Sequence, residues 1–302
     1  MSSQQAGRSK QRGSSHFQSG RANSRGDDDE EEDDQHSLYD PHSLRIWPAY
    51  DTKHLEVLEY PIKELDTTLH LGQSSTSGST SSSLWLSSQV LGAYLLSSPF
   101  LLSLPPSSPR TRRRHAPMPK SKPVAVELGA GVGFLSLLLA HAGWEVKATD
   151  LPYVARGVLA ENVRANEAAS GKVEIVELDW QETNEGPLLF LPCSSSAAKS
   201  EAYPSLIVSA DTLYAPHLVL PFWKTFASLL RSSSSPSRVP LGLLALERRD
   251  PAFIDSALSV ARSEFGLALT RVEDGKVEQA VQGSLGWEKA LWDGVEIWDV
   301  RL

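Results

Sequence analysis

Residues 124–133 constrain the fold more than any other part of the chain, because an apolar strand runs there directly into a turn with three glycines. The sequence of this segment is Val-Ala-Val-Glu-Leu-Gly-Ala-Gly-Val-Gly. Glycine lets the backbone approach a ligand closely and point its N–H groups at it. The spacing is G-x-G-x-G, whereas the dinucleotide fingerprint G-x-G-x-x-G would need glycine at Phe134. The turn therefore predicts a nucleoside-bearing cofactor and disfavours one held through a pyrophosphate.

Strand and helix patterns alternate after this turn, which predicts βαβ units and a largely parallel sheet. The predicted strands are residues 124–128, 145–149, 173–178, 205–210, 241–247, 267–272 and 296–302, and the predicted helices are residues 134–141, 154–167, 217–230 and 251–265. No long helix fits between the last two strands, so we expect a hairpin there and an antiparallel last strand. The predicted fold class is α/β, with a Rossmann-like seven-stranded sheet that is mostly parallel and has one antiparallel strand.

The segment ahead of the glycine turn contains two short strand patterns, residues 55–60 and 67–71, which are separated by Pro61 and a polar turn. They predict an N-terminal β-hairpin. Apolar residues then recur at helical spacing from Leu84, and this pattern stops near Pro99.

Three segments are too polar or too biased in composition to form a core. Residues 1–43 have few large apolar side chains and include an acidic run at 27–34, so we expect a disordered acidic tail. Residues 103–122 and 192–204 are low-complexity insertions that we assign to surface loops. The basic cluster within 103–122 is compatible with a solvated loop, a nuclear-import signal or a dock for an acidic substrate. We therefore expect one folded domain, residues 44–302, that includes the hairpin and both insertions.

The charge distribution bears on the partners of the protein. The acidic run carries eight negative charges, which equals the formal net charge of −8, so the rest of the chain is close to neutral. A near-neutral domain lacks the basic footprint of a dedicated nucleic-acid binder. The single cysteine, Cys193, excludes an intrachain disulfide and fits a reducing compartment. Apolar stretches are too short to span a bilayer, so we expect no membrane association and a cytoplasmic or nuclear location. Nothing in the sequence requires an oligomer, so we expect a monomer.

Acidic and aromatic residues recur where the predicted parallel strands end, which is the edge of such a sheet that binds ligands. Glu127 lies just ahead of the glycine turn, where its carboxylate would repel phosphate and attract a cationic amino-acid group, as in S-adenosylmethionine. Asp150, about twenty residues further on, is placed either to accept hydrogen bonds from ribose hydroxyls or to cap a helix. Asp179 could accept from an adenine amino group, and Trp180 could cover the ring or belong to the core.

Several motifs together resemble a known family. They are residues 126–133 (Val-Glu-Leu-Gly-Ala-Gly-Val-Gly), 149–152 (Thr-Asp-Leu-Pro), Leu159, Asn162, Val163, Asn166, 178–180 (Leu-Asp-Trp) and 209–214 (Ser-Ala-Asp-Thr-Leu-Tyr). On these residues, roughly positions 55–302 resemble the seven-β-strand S-adenosylmethionine methyltransferases, and within them family 16, the methyltransferase-like protein lysine methyltransferases. The 211–214 segment is similar to the D-x-x-Y motif of this family. Leu84 and Trp85 are similar to its Val-Trp element, although Leu86 follows where the family usually has Asp or Pro.

The resemblance implies S-adenosylmethionine as cofactor and a protein substrate with a lysine acceptor. The cofactor-binding residues that it implies are Trp85, Glu127, Gly129, Gly131, Gly133, Asp150, Asp179, Trp180 and Ala210. A small-molecule or nucleic-acid N-methyltransferase and a non-catalytic scaffold with this fold remain alternatives. His141 and His217 have no partners at metal-ligand spacing, so no metal site is predicted.

Two residues are predicted to be catalytic. A lysine amine with a pKa of about 10.4 is protonated at neutral pH and has no lone pair for attack, so it must lose a proton in the site. Asp211 is predicted to orient this amine, and Tyr214 to form the channel wall with a cation–π contribution. The alternative for Asp211 is a cap on the helix that begins near Pro216.

Overall fold

The computed structural model describes residues 45–73, 82–98, 122–182, 204–234 and 239–302. The predicted acidic tail, residues 1–43, lies outside this part of the chain, as do the two predicted insertions except for their last residues, Lys122 and Pro204. Within the described ranges, no helix is long and apolar enough to cross a membrane. The same ranges contain no group of three or more His, Cys, Asp or Glu side chains arranged to hold a metal ion.

The nine described strands form a hairpin and one large sheet. They are β1 (Val57–Ile62), β2 (Thr67–Gly72), β3 (Val124–Leu128), β4 (Glu145–Asp150), β5 (Val173–Glu177), β6 (Leu206–Ala210), β7 (Leu241–Glu247), β8 (Ala268–Arg271) and β9 (Val295–Arg301). The seven-stranded sheet has the order β5-β4-β3-β6-β7-β9-β8. Its first five strands are parallel, and β9 runs antiparallel to both β7 and β8. The predicted fold class, a mostly parallel seven-stranded sheet with one antiparallel strand, is confirmed.

Helices cover both faces of this sheet. They are α1 (Ala49–Thr52), α2 (Leu86–Ser97), α3 (Phe134–His141), α4 (Pro152–Val154), α5 (Ala160–Ala165), α6 (Glu167–Ser170), α7 (Pro216–Ser233), α8 (Pro251–Phe265) and α9 (Asp274–Leu285). The predicted helix at 154–167 is interrupted by a π-helical segment, Ala155–Leu159, in which Gly157 leaves helical geometry (φ −95°, ψ −116°). Glycine at this position tolerates a backbone conformation that other residues avoid.

The predicted hairpin between the last two strands is wrong, because helix α9 connects β8 to β9. The buried residues of α9 are Val277, Ala280 and Val281, a narrow face of small side chains on an otherwise polar helix. This face packs against α2, which lies about 180 residues earlier in the sequence. Helix α9 has a weak apolar pattern and is stabilised by packing against α2, which is distant in the sequence. Local sequence therefore does not indicate this helix.

The predicted N-terminal hairpin is confirmed and is fixed to the domain by two asparagine side chains. Asn162 Oδ1 accepts the Gly72 N–H at 2.7 Å, and its Nδ2 donates to the Gly72 carbonyl at 3.1 Å. Asn166 bonds the N–H and carbonyl of His70 in the same way, at 3.0 and 2.9 Å. These amides satisfy the free edge of β2 as a neighbouring strand would.

The core has two parts, one on each face of the sheet. On β3, Ala125 faces the cluster that includes α2, α3 and the hairpin, whereas Val126 and Leu128 face the cluster built on α7 and α8. Successive strand side chains point to opposite faces, so strands buried on both sides are apolar throughout. With both faces covered, the edge formed by the carboxyl ends of the parallel strands stays open to a ligand.

Candidate functional site

An open cleft of about 1000 Å³ lies at the carboxyl ends of the parallel strands. Ten of the eleven predicted site residues line it: Trp85, Glu127, Gly129, Gly131, Asp150, Asp179, Trp180, Ala210, Asp211 and Tyr214. Residues from the start of α2, including Ser88, line the cleft as well. The remaining predicted residue, Gly133, does not line it.

The glycine turn has a backbone that only glycine adopts readily. Gly129, Gly131 and Gly133 have φ values of +73°, +54° and +83°. A side chain at Gly129 would place its Cβ 2.6 Å from Thr212 Cγ2. Gly133 instead begins helix α3, where a Cβ would lie 2.7 Å from Leu159 Cδ1. The first two glycines therefore form the cleft floor, and the third allows close packing behind it.

Glu127 is buried at the end of β3 with 3% of its surface exposed. Its carboxyl group accepts a hydrogen bond from the Ser136 hydroxyl. Burial raises the pKa of Glu127 to about 8, although the hydrogen bonds from Ser136 oppose this rise. The side chain is therefore largely protonated at neutral pH until a cation enters the cleft. Sequence reasoning missed Ser136, whose only signal is its place one turn into a buried helix.

Asp150 joins the end of β4 to the glycine turn. Its Oδ2 accepts the Gly131 N–H and its Oδ1 accepts the Leu151 N–H, both at 2.7 Å. Burial raises the pKa of Asp150 while these two bonds oppose the rise. Helix α4 has Leu151 at its N-cap and no side-chain cap. The alternative interpretation of Asp150 as a helix cap is therefore wrong, and its carboxylate faces the cleft.

Asp179 and Trp180 follow β5. Asp179 Oδ1 accepts the Gln181 N–H at 2.8 Å, and both Asp179 and Gln181 line the cleft. Trp180 packs edge-on against Phe222 at a ring distance of 5.3 Å, and its Cη2 would lie 3.5 Å from a Cβ on Gly129. Trp180 thus packs against the core and also lines the cleft, while its contact with an adenine ring stays a prediction.

Asp211, which directly follows β6 and lines the cleft, has an unusual backbone and a buried side chain. Its φ is +56°, a left-handed conformation that aspartate tolerates better than most residues, and its side chain is 8% exposed. Helix α7 is capped by Ala215 without a side-chain hydrogen bond, so Asp211 does not cap that helix. Tyr214, 51% exposed, lines the cleft as well.

Two basic side chains, Arg249 and Lys53, lie against Trp85, and Arg249 also contacts Asp211. Arg249 Nη2 donates to Asp211 Oδ2 at 2.6 Å, and its guanidinium lies 4.8 Å from the Trp85 ring centroid. Lys53 Nζ lies 3.8 Å from the same centroid. The pKa of Lys53 is lowered, first by burial and then by Arg249. The position of Arg249 at the end of β7 was a usable sequence signal for this site, whereas nothing in the sequence indicates Lys53.

Comparisons with known proteins bear on this site. A sequence profile described as lysine methyltransferase matches residues 63–258, which is more than half of the chain. The chain is 23% identical to ribosomal lysine N-methyltransferase 5 of Lachancea thermotolerans over 178 residues, 52% of this chain and 52% of that protein. It is 42% identical to EEF1A lysine methyltransferase 3 of Mus musculus over 55 residues, 18% of this chain and 23% of that protein.

Two solved structures align with parts of the chain. Human methyltransferase 10 domain containing protein aligns with a TM-score of 0.39 at 11% identity, over 67% of this chain and 77% of that chain. TYW2 of P. horikoshii, solved in complex with MeSAdo, aligns with a TM-score of 0.41 at 12% identity, over 82% of this chain and 71% of that chain. The matched segments span about half or less of the length of the two curated relatives. The profile match shows that the chain belongs to the lysine methyltransferase family.

Proposed function

We propose that the protein is an S-adenosylmethionine-dependent protein N-methyltransferase that transfers methyl groups to a lysine side chain of a protein substrate. One observation carries the proposal. A single cleft is lined by a buried carboxyl group, by the glycine turn and by Asp211 with the aromatic side chains of Trp85, Trp180 and Tyr214. Membership of the lysine methyltransferase family supports the same conclusion.

The residues at the glycine end fit the cofactor. Glu127 provides a buried carboxylate for the α-amino group, and the turn provides backbone N–H groups and space for the amino-acid end. Asp150 provides oxygens for the ribose hydroxyls, and Asp179 with Trp180 provides an acceptor and an aromatic surface for adenine. When bound, the cofactor supplies a methyl group that its sulfonium already activates.

The residues at the Asp211 end fit an amine acceptor. We propose that the Asp211 carboxylate binds the N–H groups of the incoming lysine, while Tyr214 forms the wall of the channel. Burial in the cleft and nearby cations lower the pKa of a lysine amine, as the shifted Lys53 illustrates. The acceptor therefore loses its proton more readily than in water, and we propose that solvent carries this proton away.

The substrate class, the oligomeric state and the location of the enzyme are also proposals. We propose a protein as substrate, a monomer as the active form and a location in the cytoplasm or nucleus. The single cysteine supports a reducing compartment, and the near-neutral charge of residues outside the acidic run supports a protein rather than a nucleic acid as substrate.

Cofactor binding is tested first, by titration calorimetry with S-adenosylmethionine. Saturable binding is expected, and its absence would refute the catalytic proposal. The acceptor class is tested by incubating a proteome extract with the protein and radiolabelled cofactor, followed by nuclease or protease digestion. Label that disappears with protease supports a protein acceptor, whereas label that resists protease and disappears with nuclease indicates a nucleic acid.

The role of Asp211 is tested by Asp211→Ala, which we expect to eliminate transfer while cofactor affinity stays within a few-fold. Asp66→Ala is a matched control, because Asp66 is the other described non-glycine residue with positive φ, +49°, and it lies in the turn of the N-terminal hairpin. The control should transfer methyl groups as the wild type does. Loss of cofactor binding in Asp211→Ala would instead make Asp211 a cofactor ligand or a structural residue.

A further inference from the structure

The pairing of β6 with β7 brings an acidic and a basic residue together at the acceptor end of the cleft. The two strands are parallel neighbours, with Ala210 opposite Ala245. The Asp211 N–H continues this pairing with a 2.9 Å hydrogen bond to the Ala245 carbonyl. Asp211, which follows β6, and residues 247–249, at the end of β7, are therefore adjacent because their strands are paired.

Arg249 is held in place independently of Asp211. Its Nε and Nη2 both donate to Glu247 Oε2, at 3.1 and 2.5 Å, and its guanidinium lies over Trp85. The bond from Nη2 to Asp211 Oδ2 is thus an additional contact of a group that is already anchored. A planar guanidinium with several fixed donors is suited to orienting a carboxylate in this way.

Asp211 needs such a partner more than an exposed carboxylate does. Its side chain is 8% exposed, and burial raises its pKa while Arg249 opposes the rise. The other charged groups around it are Glu247, which raises the pKa of Asp211, and Lys53, whose ammonium group interacts electrostatically with Asp211. Without Arg249, a larger fraction of Asp211 would be protonated near neutral pH.

The second carboxylate oxygen has spare hydrogen-bonding capacity. Among the described residues, Asp211 Oδ1 accepts only a long contact, 3.4 Å, from the Glu247 N–H. A carboxylate oxygen accepts two hydrogen bonds, so an amine that reaches Oδ1 need not displace Arg249 from Oδ2.

We propose that Arg249 is a positioning residue, which keeps the Asp211 carboxylate ionised through its bond to Oδ2 and leaves Oδ1, with its one long contact, available to the acceptor lysine. This inference rests on the proposed function, because it assigns a partner to the residue that binds the acceptor. It excludes the opposite interpretation, in which Arg249 occupies Asp211 and blocks the entry of the lysine. The two interpretations predict opposite effects of removing the guanidinium.

The first test measures the titration of Asp211 without any substrate, by ¹³C NMR of side-chain carboxyl groups in aspartate-labelled protein, with Asp211→Asn to assign the signal. An opposite charge within about 4–6 Å lowers the pKa of an acid by about 1–3 units. Arg249 is 44% exposed, so solvent screening favours the lower end of this range. In Arg249→Gln we expect the midpoint of Asp211 to rise by about one pH unit. An unchanged midpoint would overturn the inference.

The second test measures kcat/KM for the labelled protein acceptor against pH. In Arg249→Gln, the acidic limb of the profile should move to higher pH. On the acidic side of this limb, kcat/KM should be about tenfold lower than in the wild type, and the difference should diminish as the pH rises. Arg249→Lys, which keeps the charge, should restore most of the limb, and cofactor affinity should stay within a few-fold in both variants. Arg248→Gln is the control, because Arg248 follows the same strand but pairs with Asp255 and Glu296; its limb should match the wild type.

The outcomes separate this inference from the proposed function. A kcat/KM for Arg249→Gln that equals or exceeds the wild-type value at every pH would identify a bystander or a blocking group, and would overturn the inference while methyl transfer stands. A wild-type protein that binds the cofactor but labels no protein would refute the proposed function and the acceptor role of the pair with it. A shifted limb together with a shifted Asp211 midpoint supports the inference.

Discussion

The affinity for S-adenosylmethionine should depend on pH through Glu127. The carboxyl group of this residue has a pKa of about 8 because it is buried, compared with an ordinary value of 4.5. A bound α-ammonium group favours the ionised carboxylate, so binding at neutral pH requires Glu127 to release its proton. Because a proton is released on binding, affinity must increase as the pH rises toward 8.

The magnitude follows from the shifted pKa. Each pH unit below the pKa adds about 1.4 kcal/mol to the free energy of ionising the group, which is about a tenfold change in affinity. We therefore expect the dissociation constant to fall about tenfold between pH 5.5 and pH 6.5, with the slope decreasing as the pH approaches the pKa. In the free protein the sign is reversed: the raised pKa makes folding stability decrease as the pH rises from about 4.5 toward about 8.

Calorimetric titration at several pH values, each in two buffers of different ionisation enthalpy, measures both the affinity and the proton released. Glu127→Gln is the matched variant, because it keeps the size and the hydrogen-bonding oxygen of the side chain. It should bind more weakly near pH 8 and lose most of the pH dependence; any slope that remains belongs to the other cleft acids with raised pKa values, Asp150 and Asp211. Equal wild-type affinities at pH 5.5 and 6.5, or the same slope in Glu127→Gln, would refute the reasoning.

Two further predictions concern stability and are checked by urea denaturation. Gly129→Ala combines a φ of +73° with a Cβ 2.6 Å from Thr212, so we expect a loss of about 2–5 kcal/mol. Gly266→Ala, with a φ of +66° and open space around it, should lose only about 1–2 kcal/mol, and equal losses would show that the contact with Thr212 does not matter. Asn162→Ala removes bonds to both backbone groups of Gly72 and to the Val132 carbonyl and should lose about 2–4 kcal/mol. A loss below about 1 kcal/mol would mean that water or a backbone shift replaces these bonds.

Local patterns were sufficient for most of the sheet. Strands β3 and β7 and helices α3 and α8 have the predicted bounds, because continuous apolar runs, glycine and N-terminal proline are signals contained within a few residues. The helix predicted at 154–167 shows the limit of such patterns, since its apolar spacing is helical but Gly157 lets the backbone depart from the helix. Helix α9 was not predicted because its buried side chains are few and small. They stabilise the helix only through their packing against α2.

In the candidate site too, local sequence predicts some residues and tertiary contacts decide others. Glu127, Asp150, Asp179 and Asp211 lie at or just after the carboxyl ends of four parallel strands. Because these ends lie at one edge of the sheet, the parallel direction of the strands predicts that the four residues share a cleft. The partner of Glu127 was not predictable from local sequence. Ser136 reaches Glu127 through the packing of α3 on the sheet, and a serine within an apolar helix does not by itself indicate this contact.

The sequence by itself therefore determined the fold class and the set of acidic residues at the strand ends, because the periodicity and turn chemistry of each element are encoded within that element. Only the tertiary structure decided the protonation and orientation of those acids. Burial raises the pKa values of Glu127 and Asp211, and the guanidinium that opposes this for Asp211 lies 38 residues away on the neighbouring strand end. Electrostatics in a buried site depends on distance and dielectric rather than on sequence separation, so these properties appear only when the chain is folded.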